Sequence, residues 1–112
     1  MVAKYVPDRG DLVWLTFDPQ AGHGQAGRRP ALVLSPKAYN VKAGLALICP
    51  VTSQVKGYPF EVALPMEQVR GVVLADQVRS LDWSARQADN ISQVADEVLV
   101  EVLAKLAALM HN

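Results

Sequence analysis

Residues 22–35 read GHGQAGRRPALVLS, and the change of character within this stretch decides the fold class. Its first half carries Gly22, Gly24 and Gly27, and glycine in a helix interior costs about 1 kcal/mol against alanine, so no helix propagates here. After Pro30 the residues Ala31, Leu32, Val33 and Leu34 form a short apolar run bounded by turn formers, the mark of a buried strand over 31–35. Pro36 closes it. The stretch is therefore a glycine-rich loop bearing His23, Arg28 and Arg29, pinned to a core strand. Binding and catalytic side chains are commonly presented in that way.

The same grammar extends in both directions. Upstream, 12–17 (LVWLTF) is rich in β-formers and is predicted as the first strand, ended by Asp18 and Pro19. Downstream, 37–44 reads as a connection with Tyr39, Asn40 and Gly44 as turn residues. A third strand is predicted over 45–51, with Pro50 suggesting an edge or a bulge. The polar loop 52–57 follows, then a half-buried strand at 60–64 (FEVAL). Residues 65–71 read as a turn or short helical piece. Residues 72–78 (VVLADQV) read as a strand with Asp76 and Gln77 set into it, continued by 80–83 after a bend. From Asp96 the spacing changes. Leu99, Val102, Leu103, Leu106, Leu109 and Met110 recur at helical intervals, with Glu97 and Glu101 early and Lys105 and His111 late, as the helix dipole favours. A helix is predicted over 96–110. Five or six short strands followed by one helix imply a mainly β fold, a small and strongly curved antiparallel barrel with a C-terminal helix.

The 112 residues are expected to form one domain over 1–112. The 11 basic and 11 acidic residues cancel, which argues against coating nucleic acid by bulk charge. The basic residues concentrate in 1–80 and the acidic surplus lies in the tail. Cys49 is the single cysteine, so an intramolecular disulfide is excluded, and its apolar neighbours predict a buried thiol. His23 and His111 are far apart and make no ligand pattern, so no metal and no other cofactor is expected. No apolar segment opens the chain and no window approaches a membrane span, so a cytoplasmic location is expected.

Among side chains able to do chemistry, Arg29 stands at the loop–strand junction, held extended by Pro30. Its planar fork can give two parallel hydrogen bonds to a phosphate. Arg28 is either a second phosphate contact or a solvated charge. His23 has the acid–base range for proton transfer near neutral pH, or is a plain loop histidine. Thr52, Ser53 and Gln54 follow the third strand and could serve a turn or hold a phosphate. Asp76, if buried in its strand, needs a partner such as Arg79, or belongs to a site.

Four stretches, YVPDRGDLVW at 5–14, QAGRRPALVLSP at 25–36, KGYPFEV at 56–62 and GVVLADQVRS at 71–80, resemble the MazF/PemK family of toxin endoribonucleases. The resemblance covers most of the chain and is nearest the MazF branch. It implies a barrel like SH3 or CcdB, assembled as a homodimer. It also implies metal-independent, sequence-specific cleavage of single-stranded RNA, by attack of the 2′-hydroxyl to leave a 2′,3′-cyclic phosphate and a 5′-hydroxyl. A MazE-like antitoxin is the implied protein partner, with DNA contacted only through it. On this resemblance Arg29 stabilises the phosphorane and Thr52 bonds the scissile phosphate.

The family often carries Glu where this chain has Gly24. His23 matches the histidine of the PemK branch and Asp76 its strand aspartate, while the arginine that branch has two residues earlier is here Leu74. The expectation is that His23 takes over proton transfer. Arg28, Asn40, Ser53, Gln54, Lys56, Asp76, Gln77, Arg79 and Arg86 are the candidate RNA contacts. Two alternatives stand beside the nuclease: a CcdB-like binder of DNA gyrase that cuts nothing, and a catalytically weakened member of the family.

Overall fold

Alternation in the first predicted strand produces β1 (Asp11–Thr16), which sends successive side chains to opposite faces. It pairs antiparallel with β2 (Arg28–Val33), from Leu12 opposite Leu32 to Thr16 opposite Arg28. The structure, a computed structural model, describes residues 4–18 and 27–111. The remaining elements are α1 (Lys37–Ala43), β3 (Ala46–Thr52), β4 (Glu61–Ala63), β5 (Val72–Leu74), β6 (Arg79–Leu81), β7 (Asp89–Gln93) and α2 (Asp96–Met110). Hydrogen bonding runs β4-β5-β3-β2-β1-β7, with β6 added to β3. The fold is mainly β and antiparallel with a C-terminal helix, as expected. Among the described residues the ladder is an open path, with β4 and β7 at its ends, and not a closed ring.

The central strand is β3, and it changes partners along its length. Ala46 to Ile48 pair with β6, and Val51 and Thr52 pair with β5. Pro50 sits at that handover while facing Ala31 of β2 on the other side. A proline lacks the donor that a continuous two-sided ladder needs, so the gap between β6 and β5 accommodates it inside an inner strand.

Three sequence expectations change. Residues 37–44 are not a bare connection. They form α1, whose Lys37 N–H donates to the Asp8 side chain at 2.8 Å and whose end is closed by Gly44 at φ 70°. The strand expected over 72–78 stops at Leu74. Ala75 and Asp76 form a turn and Asp76 is exposed, so it is no buried carboxylate in need of a partner. Strand β7 was not anticipated. It lies on the free edge of β1, with a register irregularity between Leu12 and Val13.

The sheet has a core on each face. On one, Leu12, Leu32, Cys49, Val51 and Val73 pack with Val98 and Val102 of α2. On the other, Val13, Leu15, Ala31, Val33 and Ile48 pack with Leu81 and Trp83. Full burial of each large aliphatic side chain contributes about 1.5–3 kcal/mol. Helix α2 spans the predicted residues, but its seam is Val98 and Val102, supported by Leu99 and Leu106. Leu109 and Met110 stay exposed. Cys49 is buried as expected, and burial, with the Asp76 charge adding, pushes its thiol up to about 12.

Candidate active site

The β2–β3 register sets the site. The ladder pairs Val33 with Ile48, Leu32 with Cys49 and Ala31 with Pro50. Continued outward in the same register, it places Pro30 opposite Val51 and Arg29 opposite Thr52. Both are strand residues, Arg29 near the start of β2 and Thr52 at the end of β3. Arg29 is thus fixed by a ladder on its β1 side as well, opposite Leu15. It is exposed, Thr52 is half-buried, and the Thr52 hydroxyl accepts from the Gln54 N–H at 3.1 Å.

Three clefts meet at this pair. The first, about 470 Å³, is bordered by Arg29 and Thr52 together with Trp14, Gln54, Gln68 and Arg70. The second, about 410 Å³, shares Arg29 and adds Phe17, Pro50, Gln77 and Arg79. The third, about 100 Å³, shares Thr52, Gln54 and Gln77 and adds Lys56 and Tyr58. Cations, amides and aromatic rings therefore line one continuous surface. Cations supply charge-assisted bonds to phosphoryl oxygens, and amides and ring faces suit bases. The Arg79 guanidinium lies over the Phe17 ring, 5.5 Å from its centre.

Two glycines shape the surroundings. Gly71 has φ +134°, and a Cβ there would stand 2.1 Å from the Thr52 carbonyl oxygen. Only a glycine lets the β4–β5 connection press against Thr52 in this way. Gly27, at φ +80°, would put a Cβ 2.7 Å from the Asp18 carbonyl oxygen, and its own carbonyl accepts from the Phe17 N–H at 2.8 Å. The two ends of the glycine-rich segment are thereby tied together immediately before Arg29.

Of the candidate RNA contacts, Ser53, Gln54, Lys56, Gln77 and Arg79 gather around Arg29 and Thr52. Others do not. Arg28 turns to the β7 side, donating to the Thr16 hydroxyl at 2.9 Å and the Gln87 carbonyl at 2.9 Å and pairing with Asp89 at 3.2 Å. Arg86 donates to the carbonyls of Thr16 and Phe17 at 3.0 and 2.7 Å. Arg28 fastens the start of β2 to the end of β1 and to the turn before β7, and Arg86 fastens that turn to the end of β1. Asn40 is corrected outright. It is 0 % exposed, bonds Ser35 and the Pro7 carbonyl, and accepts the Trp83 indole N–H on its carbonyl, so it reads no base. Asp76 is exposed in the turn beside Gln77 but lines none of the three clefts. His23 and Gly24 lie outside the described residues. Among the described residues no three His, Cys, Asp or Glu side chains are grouped to hold a metal ion.

Sequence reasoning missed Trp14, Gln68, Arg70 and Tyr58. Trp14 carried a usable signal. It shares a face with the buried Leu12 yet is left 40 % exposed. Nothing in the sequence places 68–70 beside residues 29 and 52.

A family model described as the PemK-like, MazF-like toxin of type II toxin–antitoxin systems matches residues 8–110. The endoribonuclease toxin MazF of Escherichia coli (strain K12) is 54% identical over 110 residues, 98% of this chain and 99% of that protein. The endoribonuclease toxin ChpB of the same strain is 45% identical over 117 residues, 99% of this chain and 100% of that protein. The crystal structure of MazE-MazF (Form-II) from Deinococcus radiodurans matches with a TM-score of 0.88 at 61% identity, covering 96% of this chain and 97% of that chain.

Proposed function

We infer the chemistry from a premise those matches establish: this chain belongs to the PemK-like, MazF-like toxin family of type II toxin–antitoxin systems. It is an endoribonuclease toxin, and its partners are RNA and a cognate MazE-like antitoxin. The endoribonuclease relatives set aside the gyrase-binding alternative.

In our reading the substrate is single-stranded RNA, cut at a short sequence motif without a metal ion. The supporting observation is the meeting of three clefts at Arg29 and Thr52. The 2′-oxygen attacks the adjacent phosphorus while its proton passes to a base. The bond from phosphorus to the 5′-oxygen breaks, and that oxygen takes a proton, leaving a 2′,3′-cyclic phosphate and a 5′-hydroxyl. Arg29 donates to the phosphoryl oxygens as charge builds there, and the Thr52 hydroxyl bonds the same phosphate. His23 is our candidate for the proton transfers. Ser53, Gln54, Lys56, Gln77 and Arg79 bind the flanking nucleotides.

The assembly we expect is a homodimer. A groove of about 440 Å³ between α1, β3 and α2, bordered by the exposed Tyr39, Leu47, Val78 and Leu103, offers an apolar face for the second copy. Among the described residues no helix is long and apolar enough to cross a membrane, and we place the protein in the cytoplasm.

The test is incubation of the purified protein with a long single-stranded RNA in EDTA, followed by end mapping. Discrete fragments with cyclic-phosphate ends are expected, and Arg29→Ala should lose most of the activity. A wild-type rate from Arg29→Ala would overturn the assignment. His23→Ala should flatten the pH–rate profile, and full activity across mildly acidic to mildly basic pH would remove His23 from the mechanism.

A further inference from the structure

Resting on the RNA-cleaving reading above, we propose that the β4–β5 connection forms the second wall of a nucleotide subsite. In it an RNA base stacks on Trp14 and is read by Gln68, while Arg70 holds the neighbouring phosphate. The largest of the three clefts carries this inference. Its volume of about 470 Å³ lies within the usual range for small-ligand sites, roughly 300–1,000 Å³. Arg29 and Thr52 line it together with Gln68 and Arg70. A phosphate held by the first pair thus has a residue-sized, polar space directly beside it.

The connecting segment is built to present those two side chains. Val69, 7 % exposed, is anchored in the α2-side core, while its neighbours Gln68 and Arg70 are exposed and both face the cleft. The Leu64 N–H donates to the Gly71 carbonyl at 3.1 Å, closing the segment at its base. Gly71 in turn presses on the Thr52 carbonyl. The wall and the phosphate site are therefore mechanically joined. Gln68 offers a donor and an acceptor to a base edge, and Arg70 offers a forked cation to a phosphate.

Trp14 completes the set. Its strand neighbours Val13 and Leu15 are each 1 % exposed, while Trp14 itself is 40 % exposed and lines the cleft. Phe17, in the adjoining cleft, already has the Arg79 guanidinium over its face. Trp14 is thus the ring that borders both the phosphate pair and the Gln68–Arg70 wall.

End mapping on a long RNA, with wild type, Gln68→Ala, Arg70→Ala and Trp14→Leu, tests the subsite. Gln68 and Arg70 are exposed, so their variants should melt with the wild type. Gln68→Ala should relax the cleavage consensus at one position, at a fixed offset from the cut, and leave the others intact. Arg70→Ala should raise KM more than it lowers kcat and make binding less salt-dependent. Trp14→Leu should raise KM about tenfold, the scale of one lost base–aromatic stack. An unchanged consensus in Gln68→Ala, together with KM within twofold of wild type in all three, overturns the subsite. If Arg29→Ala is nonetheless inactive, the RNA-cleaving reading survives that result. A wild-type protein that cuts no RNA overturns both.

Discussion

Gly71→Ala puts a methyl group where the structure has no room for one. Its ideal Cβ would lie 2.1 Å from the Thr52 carbonyl oxygen, 2.8 Å from the Thr52 carbonyl carbon and 3.1 Å from the Ser53 Cα. All three are backbone atoms of the β3 end, so no side chain can swing aside. Contacts of this kind do not fall below 3.0 Å, so Thr52 and the connection must separate by about 0.9 Å. Misplacement of a reacting group by that distance costs about 100-fold in rate. The φ of +134° adds backbone strain on the order of 1–3 kcal/mol. At several degrees of Tm per kcal/mol for a small domain, the melting point should fall by roughly 5–15 °C. Turnover measured well below the variant's own Tm separates the two effects. Thr52→Val is the companion variant, since it removes the hydroxyl at nearly constant volume and should lose rate with little change in Tm. A folded Gly71→Ala protein within threefold of the wild-type rate would refute the argument that Gly71 holds Thr52 in register with the phosphate.

Other consequences are simpler to state. Arg86→Ala removes charged bonds to the Thr16 and Phe17 carbonyls, so calorimetry should find about 1.5–3 kcal/mol of lost stability per bond group. If it instead weakens RNA binding as much as Arg79→Ala with Tm unchanged, Arg86 is a phosphate contact and not a fastening. On the alkaline side, the Cys49 thiol ionises near 9.0 when unfolded but only near 12 when folded. The unfolded chain therefore releases that proton first. Urea midpoints should hold below pH 9 and fall as pH rises toward 12, and Cys49→Ala should lessen the slope. Equal slopes would show that the thiol is not responsible. On the acid side, bonds from the Lys37 and Arg9 N–H groups hold the Asp8 carboxyl below its usual 3.8. Its contribution to stability is present above that value and lost as pH falls through the lower folded value. Asp8→Ala, which removes the acceptor, should fray α1 at neutral pH, read by hydrogen exchange at Asn40 and Val41. Wild-type protection there would show that Asp8 does not cap the helix.

What could be read from the sequence follows the range of the forces involved. The extent of α2, the run of β1 and the start of β3 are set by side-chain spacing over a few residues, and each was readable. Helix α1 was not. Its N-terminal residue Pro36 makes no side-chain cap, and the carboxylate that caps it comes from Asp8, 29 residues away. Strand β7 was hidden for a related reason. DNISQ has no apolar alternation of its own and is a strand because it completes the edge of β1. The buried Asn40 looked like a turn residue because its partners, Pro7 and Trp83, lie 33 and 43 residues from it.

The same division runs through the active site and bears on its missing carboxylate. Arg29 and Thr52 could be proposed from the sequence because each adjoins a strand that the sequence announces. The structure adds that both belong to those strands. Their relative position is inherited from the β2–β3 register that also pairs Leu32 with Cys49, and slipping it by one residue would set side chains of one core against those of the other. On the proposed mechanism, phosphate recognition would rest on this register. Proton transfer needs a group from elsewhere, and no ladder residue beside Arg29 supplies an acid or base. Leu15 lies opposite it on β1, and Thr52 on β3 in the continued register. Substitution at position 24 can therefore change the proton chemistry while leaving the phosphate site in place. On the proposed mechanism such a division would leave His23 to carry the pH dependence and Arg29 with Thr52 to hold the phosphate.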